Sequence, residues 1–117
     1  MKKSLLILLC LALIGLGQSF ISPINYSNTE TNQKRVISYI QKDVKETYSA
    51  IGMDDPSILC MMEKENLNAF KELIKVSNIS LLQNVIKTYC EIGMCNYSTI
   101  LMMYIEQNKA NTETLEW

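Results

Sequence analysis

The feature that most constrains this chain is a segment that occurs twice. VKETYSAIGMDDPSILCMM at residues 44–62 recurs 41 positions later as VIKTYCEIGMCNYSTILMM at residues 85–103. Without a gap, nine of the nineteen aligned positions are identical. They are Val44/Val85, Thr47/Thr88, Tyr48/Tyr89, Ile51/Ile92, Gly52/Gly93, Met53/Met94, Ser57/Ser98, Met61/Met102 and Met62/Met103. A period between about 20 and 50 residues is produced by stacked supersecondary units, so the repeat sets the unit of construction.

Apolar periodicity identifies that unit. From Asn32 onward Val36, Ile40, Val44 and Tyr48 follow at i+4, with Ile37 and Ile51 widening the stripe, which predicts an amphipathic helix. Gly52 suits the left-handed residue that closes a helix. Asp55 then suits an N-cap and Pro56 a first helical position, where its missing donor is no loss. The second helix carries Ile58, Leu59 and Met62, then Leu67, Phe70, Leu73 and Ile74. Asn66 interrupts that stripe and predicts a kink or break near residues 65–68. Leu82, Val85, Ile86 and Tyr89 mark a third helix closed by Gly93. Asn96 caps a fourth, with Tyr97, Ile100, Leu101 and Tyr104 inward. Each copy of the repeat is thus a helix end, a turn through glycine and a capped helix start, the corner of an αα-hairpin. No strand pattern competes. The expected fold is all-α: four helices as two sequence-related αα-hairpins packed as a small bundle after a cleaved signal peptide.

Residues 1–17 read as that signal, with basic Lys2 and Lys3, an uncharged apolar run from Ser4 to Leu16, and small residues at Gly15 and Gly17. The run is too short to span a bilayer comfortably. The leader resembles secretion signals of the Bacteroidota, which implies export to the periplasm or beyond. Residues 18–31 are rich in Ser, Asn and Thr and read as an extended arm. The helical domain covers residues 32–109, with hairpin one at about 32–76 and hairpin two at about 78–109, and residues 110–117 form a polar tail. Cleavage removes Lys2 and Lys3 and no acid, taking 11 basic residues to 9 against 12 acidic ones, a formal charge of −3. A mildly acidic chain without a basic cluster is a poor binder of nucleic acid or anionic membrane.

Histidine is absent. That removes the commonest general base and the usual partner of a nucleophilic Cys or Ser, so an enzyme is not expected. The adjacent Asp54 and Asp55 read as helix-capping residues. Apart from Met1, every methionine lies in the repeats: Met53, Met61, Met62, Met94, Met102 and Met103. Core packing is the favoured role for them. The alternative is a soft-metal site for Cu(I) or Ag(I), drawing on Met53, Met94, Cys90 and Cys95, because thioether and thiolate sulfur prefer such ions. Cys60, Cys90 and Cys95 are also disulfide candidates in an oxidising compartment, with the connectivity open.

The segment YCEIGMC at residues 89–95 is similar to the closing cysteine motif of saposin-like proteins, small secreted helical lipid binders. The likeness covers seven residues; that family uses six cysteines, and its closing pair is spaced one residue wider. A separate third reading is carriage of a lipid or apolar ligand between the hairpins, which requires an internal cavity of several hundred Å³. The leading expectation is an exported, non-enzymatic helical module that needs no cofactor and contacts another protein or an envelope component, with Tyr26, Tyr97 and Trp117 as contact candidates. Its oligomeric state stays open.

Overall fold

The structure, a computed structural model, describes residues 19–113 and 116–117. The signal-peptide reading of residues 1–17 lies outside them. The described residues hold four α-helices and no strand. They are α1 (Glu30–Ser49), α2 (Pro56–Leu73), α3 (Ile79–Glu91) and α4 (Tyr97–Ala110).

Every helix starts on a side-chain cap that satisfies a backbone donor otherwise left without a partner. Thr29 accepts from the Asn32 amide, Asp55 from Ser57, Asn78 from Leu81 and Asn96 from Thr99. Pro56 occupies the first position of α2. The two corners close with the same pair of hydrogen bonds. At the first, the Met53 amide donates to the Tyr48 carbonyl at 2.8 Å and Gly52 to Ser49 at 3.2 Å. At the second, Met94 donates to Tyr89 at 2.8 Å and Gly93 to Cys90 at 3.3 Å. Gly52 and Gly93 take φ values of 73° and 80°. This is the Schellman arrangement, whose left-handed residue is glycine because a Cβ strains that conformation. It accounts for the shared glycine of the repeat, the one position whose conformation selects a residue type.

Close packing joins α1 to α2, α2 to α4, and α3 to α4. The core lies where these seams meet. It is built from Val36, Ile40 and Val44 of α1, Ala69, Phe70 and Leu73 of α2, Leu82 and Val85 of α3, and Tyr97, Ile100 and Tyr104 of α4. These side chains recur at helical spacing, so each helix turns one stripe inward.

Two features differ from the sequence reading. The arm is a structural part of the core. Phe20 packs edge-on to Tyr39 at 5.6 Å and lies 5.3 Å from Tyr97, while Tyr26 packs edge-on to Phe70 at 4.9 Å. The Tyr97 hydroxyl donates to the Ile21 carbonyl at 2.8 Å, and Pro23 is buried. The arm lacks a helical period because it lies across the bundle as non-helical chain. The second difference is α2, which runs unbroken through Asn66. Asn66 is 5% exposed. Its Nδ2 donates to the Met62 carbonyl at 2.9 Å, and its Oδ1 accepts from the Ser98 amide at 3.2 Å. The polar residue in the apolar stripe is therefore a second cap for α4, supplied from another helix.

Candidate functional site: the outer seam of the first hairpin

Where α1 and α2 pack, the inner side of the seam meets the arm, α4 and the core. The outer side is open. A groove of about 370 Å³ is lined there by Tyr26, Ile37, Leu67, Phe70 and Ile74. A second, of about 210 Å³, is lined by Ile37, Ile40, Cys60 and Leu67. Ile37 and Leu67 line both, so the two form one furrow along the seam. Its position follows from the helical period. Val36, Ile40 and Val44 point α1 into the core, while Gln33, Ile37 and Gln41 sit one residue round and form a second, outer row. On α2, Cys60, Glu63 and Leu67 do the same, the C-cap residue Ile74 continues the row, and the core residue Phe70 lines the groove from beneath. The apolar stripes are wider than the core can cover, which leaves Ile37 40% and Ile74 36% exposed.

The furrow's charges are uneven. Exposed Lys64, Lys71 and Lys75 line the α2 rim, against one acid, Glu63. The ion pairs of the described residues are Lys34–Glu30, Lys42–Glu46 and Lys109–Glu113, and none includes a rim lysine. The signal was present in the sequence: residues 64, 71 and 75 fall on one side of a helix at i, i+7 and i+11. Without a known neighbour for α2 it resembled any solvated face. Lys71 and Lys75 also border a groove of about 630 Å³ between α2 and α4, whose lining includes Glu65, Glu72 and Glu106, none of them within ion-pair distance of either lysine.

A smaller polar recess of about 300 Å³ lies between the second half of α1, α2 and the start of α4, lined by Asp43, Thr47, Asn66, Asn96 and Ser98 among others. Burial, reinforced by Glu46, raises the Asp43 carboxyl above the usual carboxylate range. Burial likewise pushes the Tyr39 phenol well above the ordinary tyrosine value, with Asp43 and Glu46 adding to the effect, and does the same to Tyr97. The Tyr39 hydroxyl donates to the Cys95 carbonyl, tying α1 to the second corner.

Of the contact candidates, Trp117 is exposed and Tyr26 is half-buried in the furrow wall. Tyr97 is 0% exposed and cannot meet a partner, because the arm and Phe70 enclose it. Core packing holds for Met62 and Met103, which are partly buried against the core. Met53 and Met94 are each 44% exposed, and Met61 and Met102 are more so. The first pair lies beyond the turn glycines; of the second, Met61 lies on α2 and Met102 lines the groove between α2 and α4.

Cys90 and Cys95 form a disulfide that spans the second corner, and Cys60 is free and exposed. The bonded pair offers no thiolate to a soft metal. Cys60 sits beside Ile37, and Cys95 beside Tyr39. Two positions apart on a helix, Ile37 and Tyr39 leave α1 on nearly opposite sides. The free thiol therefore lies across the bundle from the disulfide. Among the described residues no cluster of three or more Cys, Asp or Glu side chains is arranged to hold a metal ion, and no helix is long and apolar enough to cross a membrane. Comparison with family models, with curated proteins and with solved structures finds no match.

Proposed function

We propose that this protein is an exported, non-enzymatic interaction module that binds a protein partner on the outer α1–α2 seam. The observation that carries this reading is the furrow itself. Its apolar floor is continuous over both grooves, and its two isoleucines remain open to solvent although the core behind them is filled. Contiguous exposed apolar surface edged by polar residues marks interaction sites in soluble proteins. The scaffold suits the role. Four capped helices, an arm docked by aromatic side chains and a stapled corner hold the seam on rigid elements.

The test places a photoreactive benzoylphenylalanine at Ile37 of the full chain in the source cell, with exposed Gln83 on α3 as the control position. A discrete cross-linked species from position 37, absent from position 83 and lost on Ile74→Asp, is the expected result. Equal labelling from both positions, or none from position 37, overturns the assignment.

A further inference from the structure

The furrow's shape and charge narrow the partner's chemistry, given that the seam is an interaction surface as proposed above. We infer that its occupant is an amphipathic α-helix with an acidic flank. Along most of the furrow the walls are α1 and α2, whose backbone groups are bonded internally and offer no strand edge to extend, while Tyr26 and Asn28 of the arm line only the larger groove. Of the common peptide-recognition modes, the one that fits two helical walls is a helix laid into the groove between them. Cys60 to Leu73 spans 14 residues of α2, or about 21 Å along the axis at the rise of an α-helix, with Ile74 the C-cap residue just beyond. That length accepts about four turns of a partner, whose apolar residues at i, i+3/i+4, i+7 and i+11 would meet Ile74, Leu67, Ile37 and the floor at Cys60.

Charge selects the flank. Lys64, Lys71 and Lys75 form a row on the α2 rim and lack ion-pair partners among the described residues, while Gln33 and Gln41 on the α1 rim are neutral. Over residues 30–110 acids and bases nearly balance, ten to nine, whereas the furrow's own lining holds three lysines against Glu63 and so favours carboxylates. A helix with glutamates on the side facing α2 would place them along that row. Such rim pairs steer association and fix orientation more than they add affinity, and salt screens them.

The experiment titrates the full chain, by chemical-shift perturbation, with a helical peptide of about 14 residues carrying leucines at the spacing above and glutamates on one flank. A twin peptide with lysines in their place and dodecanoate are the other probes. The acidic peptide should shift residues around Ile37, Leu67 and Ile74, and more weakly at high salt. The lysine twin should bind about tenfold more weakly, the scale of two exposed ion pairs turned into repulsions. The double variant Lys71→Glu/Lys75→Glu, whose substitutions are on exposed side chains, should reverse that order. Equal binding of both peptides, or preference for the lysine twin, refutes the acidic flank. Dodecanoate displacing the acidic peptide from the furrow refutes the helix in favour of an anionic amphiphile. If neither peptide binds while the Ile37 photo-cross-link persists, this inference fails and the interaction surface stands; if both are absent, both fail.

Discussion

Replacing Asn66 by Ala separates two explanations of the same residue. If Asn66 is a flaw in the apolar stripe of α2, alanine, the best helix former, should stabilise the protein by about 0.6 kcal/mol. The structure assigns the opposite sign. The Asn66 Oδ1 accepts the Ser98 amide at 3.2 Å in the first turn of α4, where no intrahelical acceptor exists. Nothing nearby substitutes for it: Asn96 already serves Thr99, and the Ser98 Oγ is itself buried without a partner among the described residues. Leaving a buried donor unpaired costs about 1–3 kcal/mol, and because Ser98 is partly exposed about 1.5 kcal/mol applies. The bond to Met62 adds little, since it runs within α2. After the propensity gain the net loss is about 1 kcal/mol, or a fall in Tm of about 4–8 °C for a domain of this size. Asn68, two residues on, is exposed and caps nothing, so Asn68→Ala should gain the propensity term alone. Thermal and urea unfolding followed by far-UV circular dichroism read both variants. If Asn66→Ala matches or exceeds the parent, or moves in the same direction as Asn68→Ala, the interhelical cap is refuted.

Three further outcomes follow from other parts of the fold. Tyr39 and Tyr97 hold their phenolic protons in the folded state well above the ordinary value of 10.0. The unfolded chain releases those protons as pH passes about 10, so stability is flat below that pH and falls above it, by about 2.7 kcal/mol per pH unit for two such groups. Tyr39→Phe should remove half of that slope in urea titrations, and an unchanged slope refutes the assignment. Reducing the Cys90–Cys95 bridge, which closes a loop of separation 5, should lower stability by about 2 kcal/mol and leave helix content intact. Alkylation and mass mapping of the unreduced protein should then label Cys60, and a bridge to Cys60 contradicts the pairing. Phe20→Ala should cost about 2 kcal/mol through lost burial and aromatic packing, where a detached arm would show no change.

The residue pattern alone showed the four helices and most of their ends, but it began α1 at Asn32, past its Thr29 cap, and broke α2 at Asn66. Apolar spacing is a local property, and the caps at Asp55 and Asn96 and the turn glycines act within a few residues of themselves. They could therefore be read before any fold was known. What only tertiary structure decided is every partner that lies far along the chain. Asn66 reads as a fault until Ser98, 32 positions away, is beside it. Phe20 and Tyr26 read as strays in a polar arm until Tyr97 and Phe70 enclose them. Of the three disulfide candidates, the local pair joined because one corner brings both together, while α1 stands between them and Cys60. The same holds for the seam: its isoleucines belong to ordinary helical stripes, and its lysines to an ordinary solvated face. Helical periodicity says which residues share a side of one helix, whereas a furrow exists only once two helices are set against each other and one flank of their seam is left open.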